Sequence, residues 1–423
     1  MHRLCTIVSV FVCLFALSLS AAPKFTFTLD RPEAQYKCGE PATFTVLLAE
    51  EDGTPLSQGE MTLTLTRDGR DKISSTKIDL SQQNPATVAG TLETPGFLRL
   101  QASYAGGEKP LYAIYGAAYE PLKIQAGAPM PEDFWSFWQQ EVQKAEAIPL
   151  DLQKEKLDEF SNEQYTSYKV SFAAPGGRVY GFLCLPQGKG RVPAWVSVPG
   201  AGPGRDAPAV DANFATLVLN VHPYDPRQPD RSIKELYQEL NANGIYMYIG
   251  APDREKVFFH RAILGINRAV NWLAAQPEID PERLGYYGSS QGGAFGLILG
   301  GLNGKFSALV CNVPALCDHL AYKDKRSPGW PGYCSKLKYS PEIEAMVPYY
   351  DAVNFARFVK KPIKIMVGFA DSTCSPGSVY AAFNAIPTAD KEIFNEVGMG
   401  HAGRPSFNTS IAWMKKVISA AQP

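Results

Sequence analysis

The sequence predicts a chain in two parts: a small all-β unit, then a larger α/β unit built on a doubly wound, mainly parallel sheet. Three observations carry this reading. Residues 24–118 alternate apolar and polar side chains with period two between short turns. From Pro131 onward, apolar strand-like runs interleave with helical stretches, the pattern of parallel strands joined by crossover helices. One strand-to-helix junction carries the pentapeptide Gly288-Ser289-Ser290-Gln291-Gly292. Length agrees, since 423 residues are too many for one typical core.

Residues 1–22 read as a cleavable signal peptide. Arg3 supplies the positive start, residues 7–19 are apolar but short for a bilayer span, and Ser18, Ser20, Ala21 and Ala22 offer a cleavage site. The expected location is therefore periplasmic or extracellular. No later run is long enough for a membrane helix. Residues 23–118 read as an antiparallel β-sandwich of immunoglobulin-like type. Phe25, Phe27 and Leu29 alternate with polar residues, as do Phe44, Val46 and Leu48, then Met61, Leu63 and Leu65. Phe97, Leu100 and Ala102 alternate less cleanly. Asp52-Gly53, Asp68-Gly69 and Gly106-Gly107 are turn signals. No aromatic platform is evident, so a structural or oligomerising module is favoured over a glycan-binding one.

Residues 119–130 form a proline-dotted linker, and 131–423 the α/β unit. Strands are expected over 178–186, 192–199, 214–221, 283–287, 308–313, 362–370 and 392–397. Ile263, Ile266, Val270 and Leu273 make one face of an amphipathic helix ahead of the pentapeptide.

The pentapeptide fits Gly-x-Ser-x-Gly on a strand-to-helix turn, the nucleophile elbow of α/β-hydrolases. That makes the expected fold an α/β-hydrolase sheet preceded by the smaller sandwich. Glycines at 288 and 292 keep the turn tight, so that the Ser290 hydroxyl stands exposed. The N–H of Gln291 then points at a developing oxyanion. An acid and a histidine must follow Ser290 in the chain. Of five histidines, His2 lies in the leader, and His222 and His260 precede the serine. His319 has no strand-plus-acid candidate between it and Ser290. His401 remains, on a glycine-rich loop after the strand at 392–397. Asp371 ends the strand at 362–370, on the rim where α/β sheets place ligands. It would fix the tautomer of His401 and stabilise the imidazolium. Asp351 reads instead as a cap or structural contact, and Glu396 as too close to His401 in sequence. The second oxyanion donor is expected from the loop 198–204, at the N–H of Ala201.

Composition excludes other classes. The net charge of −1 with no basic cluster argues against nucleic acid or an anionic membrane as partner. The eight cysteines, two of them in the leader, are too sparse for a disulfide scaffold. Only Cys317 with Cys334 suggests a loop disulfide. No Cys/His spacing suggests a metal, no phosphate loop occurs, and no cofactor is expected.

Residues 120–420 resemble the acetyl xylan esterase / cephalosporin-C deacetylase family of carbohydrate esterases. The likeness is carried by Pro131-Glu132-Asp133-Phe134-Trp135-Ser136-Phe137-Trp138 as an entry helix and by Ser290-Gln291-Gly292-Gly293 at the elbow. Residues 244–284 resemble the family's long pre-elbow helix. Tyr350-Asp351-Ala352-Val353-Asn354 and Gly368-Phe369-Ala370-Asp371-Ser372 resemble its acid-bearing region. Three blocks depart from the family. Its Arg-Gly-Gln is His222-Pro223-Tyr224 here, which makes His222 and Tyr224 candidates for lining the substrate pocket. Its His-Gly-Tyr loop is Pro199-Gly200-Ala201, without the tyrosine that borders the acyl pocket. The glutamate after its histidine is Ala402.

The resemblance implies a secreted serine esterase that removes acetyl or other short acyl groups from carbohydrate hydroxyls. Its partner is an acetylated oligosaccharide or polysaccharide, with a homo-oligomer left open. A peptidase or another ester hydrolase on the same fold is the alternative within the chemistry. A glycan-binding protein with a vestigial hydrolase domain is the alternative outside it.

Overall fold

The computed structural model describes residues 23–106, 109–242, 244–402 and 405–420. The leader at 1–22 and Gly107 of the turn at 106–107 lie outside them. Among the described residues the chain forms two sheets in its N-terminal quarter and one large sheet in the remainder.

The N-terminal strands are β1 (Lys24–Leu29), β2 (Gln35–Tyr36), β3 (Ala42–Ala49), β4 (Glu60–Arg67), β5 (Asp71–Asp79), β6 (Ala86–Gly90), β7 (Gly96–Tyr104) and β8 (Leu111–Tyr119). One sheet has the order β1-β3-β6 and the other β2-β8-β7-β4-β5. All pairings are antiparallel except β2 with β8. Period-two alternation aims Phe44, Val46, Leu48, Met61, Leu63 and Leu65 into one core shared by the two sheets. The irregular pattern of β7 has a physical reason: both its faces are covered. Leu98 and Leu100 enter the N-terminal core, while Phe97 points the other way and joins the core of the large sheet.

The larger unit begins with α1 (Phe134–Glu146) and the strands β9 (Gln153–Lys156), β10 (Tyr165–Ala174), β11 (Gly177–Pro186), β12 (Val192–Val198) and β13 (Ala215–Leu219). The helices α2 (Ile233–Leu240) and α3 (Phe258–Ala274) come next, then β14 (Ile279–Ser289), α4 (Gln291–Leu302) and β15 (Ala308–Asn312). Three short helices follow, α5 (Tyr333–Lys336), α6 (Pro341–Met346) and α7 (Ala352–Ala356). The chain closes with β16 (Ile363–Gly368), α8 (Pro376–Ala385), β17 (Lys391–Glu396) and α9 (Pro405–Ser419). The strand order is β17-β16-β15-β14-β12-β13-β11-β10-β9. Strands β12 to β17 run parallel, and β9 to β11 extend the sheet antiparallel. Both faces are covered, so its central strands are mainly apolar, with Ser197 and Thr216 as buried polar exceptions. Val196, Leu309 and Cys311 pack toward α3 and α4, and Trp195, Ala308 and Val310 toward α9. This is a mixed α/β fold with a mostly parallel sheet. No helix among the described residues is long and apolar enough to cross a membrane.

Three expectations need correction. Strands β9 and β10 were not anticipated, because polar Ser167 and Ser171 occupy buried positions of β10. The stretch at 244–284 is not one long helix: a 3-10 turn at Tyr246–Tyr248 precedes α3, and Gly250 at φ 83° and Pro252 separate the two. Cys317 and Cys334 form no disulfide; both are free thiols.

Candidate active site

The site stands where β14 turns into α4. Ser290 holds φ 57° and ψ −119°, a strained conformation for a residue with a side chain. Its neighbours impose it. A Cβ at Gly288 would lie 2.5 Å from the Gly292 backbone, and a Cβ at Gly292 would collide with the Val198 carbonyl. The strained turn is fastened on both sides of the peptide: Ser290 N–H donates to Asn312 O at 2.9 Å, and Ala315 N–H to Ser290 O at 3.0 Å. The hydroxyl is thereby left clear of the sheet.

The structure brings Ser290, His401 and Asp371 together from three separate segments. His401 Nε2 lies 3.0 Å from Ser290 Oγ, and its Nδ1 lies 2.9 Å from Asp371 Oδ2. An ionised carboxylate only accepts, so Nδ1 carries the proton and Nε2 is the acceptor facing the serine. Asp371 is fully buried, and its other oxygen takes the N–H groups of Thr373 at 2.8 Å and Cys374 at 2.9 Å. The His401 side chain keeps 34% of its exposure, so the acid is sealed while the imidazole reaches solvent. Two rungs tie the loops together: Phe369 N–H donates to Glu396 O, and Ala370 N–H to Met399 O at 3.1 Å.

The rejected acids have other work. Asp351 caps α7 through Val353 N–H and accepts from the N–H groups of Asp318 and His319. Glu396 accepts from Ser406. His260 pairs with Glu141 at 2.9 Å, and His319 is buried edge-on against Tyr333.

Gly200 abuts the elbow, for a Cβ there would stand 3.4 Å from Ser289 O and 3.8 Å from Ser290 Cβ. This brings the backbone next to Ala201 beside the serine. Gln291 opens α4, whose first N–H groups have no intrahelical acceptor. Its buried side chain joins the two halves of the site. Its Oε1 accepts from Tyr246 at 2.7 Å, and its Nε2 donates to Pro199 O at 3.4 Å.

His222 and Tyr224 both bond to carbonyls of the same loop; His222 is buried and lines no open pocket, whereas Tyr224 keeps partial exposure. His222 is fully buried, with Nε2 2.7 Å from Gly202 O. Burial pushes its pKa down to about 4, so near neutral pH it is uncharged and its Nε2 is the donor. Tyr224 stacks on it with centroids 5.1 Å apart and donates to Pro203 O at 2.6 Å. Asn220 closes the set by accepting from Arg205 N–H and donating to Arg205 O, both at 2.8 Å. Sequence reading missed Tyr246 and Asn220. Neither sits at a diagnostic spacing, and their partners come into reach only on folding.

A family model, Acetyl xylan esterase (AXE1), matches residues 119–417. The chain is 27% identical over 354 residues to Acetyl esterase Axe7A of Xylanibacter ruminicola, across 82% of this chain and 80% of that protein. It is 26% identical over 301 residues to Acyl-coenzyme A thioesterase 1 of Mus musculus, across 64% of this chain and 65% of that one. The solved acetyl xylan esterase from Paenibacillus sp. R4 superposes with a TM-score of 0.59 at 21% identity. It covers 71% of this chain and 99% of its own. Acetyl xylan esterase 1 from Thermoanaerobacterium sp. JW/SL YS485 gives 0.56 at 20%, over 70% and 98%. The two structures share the fold of the larger unit.

Proposed function

The chain belongs to the acetyl xylan esterase family, and on that premise we propose that it is a secreted serine esterase working through Ser290, His401 and Asp371. Membership makes it a carboxylic ester hydrolase, with acetyl esters of carbohydrates as the substrate class. The observation that carries the mechanistic reading is the continuous relay from Ser290 Oγ to His401 to buried Asp371, at 3.0 and 2.9 Å.

In this reading Ser290 Oγ bonds to the acyl carbon while His401 Nε2 takes the hydroxyl proton. The carbonyl oxygen becomes an oxyanion facing the N–H groups of Ala201 and Gln291. The intermediate collapses, the bond between the acyl carbon and the sugar oxygen breaks, and His401 gives its proton to the leaving alkoxide. Water, activated by His401, then releases the acid from the serine. Asp371 keeps the imidazole oriented and balances its charge in both steps. We read His222 and Tyr224 as supports of the oxyanion loop. We assign residues 23–118 to an immunoglobulin-like sandwich domain, 119–130 to a linker, 131–423 to the esterase domain, and 1–22 to an export signal.

A fluorophosphonate probe tests the assignment. The expected result is one covalent adduct, mapped to Ser290 and absent from Ser290→Ala. An adduct elsewhere, or none, would contradict it. The thioesterase relatives keep a second reading in view, hydrolysis of acyl thioesters on the same site. Comparing kcat/KM on acetyl-coenzyme A and on acetylated xylo-oligosaccharides separates the two.

A further inference from the structure

The loops that carry Asp371 and His401 do not end at the surface of the larger unit; strand β8 of the N-terminal unit runs against both. A Cβ at Gly116 would stand 2.5 Å from Phe369 O, two residues before Asp371. Beside it the Phe97 ring of β7 packs edge-on against Phe369 at 5.1 Å and lies 5.8 Å from the Tyr380 ring of α8. This apolar contact fixes β8 relative to the acid. Tyr115 precedes Gly116 and turns to the opposite face of the strand. A Cβ at Gly398 would stand 3.4 Å from Tyr115 Cε2, so the ring edge borders the loop that leads to His401. His401 lies three residues beyond Gly398, a span of at most roughly 11 Å.

The Phe27 ring of β1 stacks on Tyr115, with centroids 5.4 Å apart and planes at 14°, and Phe25 lies 6.1 Å from Phe27. Strands β1 and β8 belong to different sheets, and the three rings stand half-buried where the sheets meet. The Tyr115 hydroxyl has no hydrogen-bond partner among the described residues. Burial raises its pKa above the ordinary phenol value, so at neutral pH it keeps its proton and can donate.

We propose that Tyr115, backed by Phe27, is a sugar-binding subsite that the N-terminal unit adds to the rim of the active site. The inference rests on the reading of His401 as the base of the relay and of an acetylated oligosaccharide as substrate. A pyranose carries hydroxyls at its edge and C–H groups on its faces. In this subsite the Tyr115 hydroxyl bonds to an edge hydroxyl, and the paired rings cover C–H surface. Gly398 is close enough to His401 for the bound sugar to be a neighbour of the one that bears the acyl group. The contact is the same in ground and transition states, so it acts on KM rather than on kcat. p-Nitrophenyl acetate has no sugar with which to use it.

The test measures kcat and KM for the full chain and for Tyr115→Phe, Tyr115→Ala and Tyr112→Ala, on acetylated xylo-oligosaccharides and on p-nitrophenyl acetate. Tyr112 is 66% exposed on the other face of β8 and serves as the control. Tyr115→Phe should lower the ratio of kcat/KM on oligosaccharides to that on p-nitrophenyl acetate roughly two- to tenfold, the worth of one neutral hydrogen bond. The loss should lie in KM on oligosaccharides. Tyr115→Ala should lower the ratio further, and Tyr112→Ala should leave it at the wild-type value. If Tyr115→Ala lowers kcat equally on both substrates and leaves the ratio unchanged, Tyr115 only supports the His401 loop and the proposal fails. A fall confined to Tyr112→Ala overturns it as well. If Tyr115→Ala does not fold, an unchanged ratio in Tyr115→Phe is enough to overturn it. A wild-type chain that hydrolyses p-nitrophenyl acetate but no acetylated oligosaccharide would sink the substrate reading on which the subsite rests, a separate failure.

Discussion

Replacing His222 with Phe keeps the aromatic stack with Tyr224 and deletes one hydrogen bond and one titratable group. The bond from Nε2 to Gly202 O contributes about 1 kcal/mol near neutral pH. Its loss should lower the melting temperature by about 2–4 °C. The titration acts separately. The folded pKa is about 4 against an unfolded value near ~6.5, a gap of on the order of 3 kcal/mol. Because the folded value is depressed, this stability is complete above the unfolded pKa. It is lost as pH falls from about 6.5 toward 4. His222→Phe should therefore be less stable than wild type at neutral pH yet lose less on acidification. The same bond holds the loop that carries the Ala201 N–H. Complete loss of an oxyanion donor costs about 10²–10³ in rate, and a loosened loop should cost roughly tenfold in kcat. Thermal melts at neutral and acidic pH, with kcat on p-nitrophenyl acetate, read all three effects. Wild-type kcat together with unaltered acid sensitivity would refute both the bracing role and the buried neutral imidazole.

Three further expectations follow from the same geometry. Gly292→Ala should lose kcat by roughly 10² or more, because its Cβ meets the Val198 carbonyl; an active, normally folded variant would mean the elbow has room to yield. Asp371→Asn should lower kcat by orders of magnitude, whereas Asp351→Asn should chiefly lower the melting temperature, since Asp351 serves backbone N–H groups. The reverse pattern in paired kinetics and melts would transfer the acid role to Asp351. Ala201→Tyr should raise the acetyl-to-butyryl kcat/KM ratio, by at least part of the roughly 10–200-fold that each of the two extra methylenes is worth. An unchanged ratio would place acyl selection elsewhere.

The central strands and the elbow were legible because their physics is local. Strands buried on both faces read as mainly apolar runs, and the elbow demands small residues at 288 and 292. The histidine that lies beside Ser290 was legible by elimination among five. What stayed hidden depends on tertiary neighbours. Strand β10 carries buried serines whose position no periodicity reveals. The irregular alternation at Phe97 looked like a weak strand, whereas it marks a strand with both faces covered. His222 and Tyr224 stood out as departures from a resemblance, which gave their place but not their direction. They turn inward to the carbonyls of Gly202 and Pro203.

The most direct measurement is acetate release from acetylated xylan by the wild-type chain and by Ser290→Ala, with circular dichroism to establish that both are folded. The expected result is steady release by wild type and a loss of several orders of magnitude in Ser290→Ala, down to the residual rate left by the oxyanion donors. Release at the wild-type rate by the folded variant would contradict the serine mechanism outright.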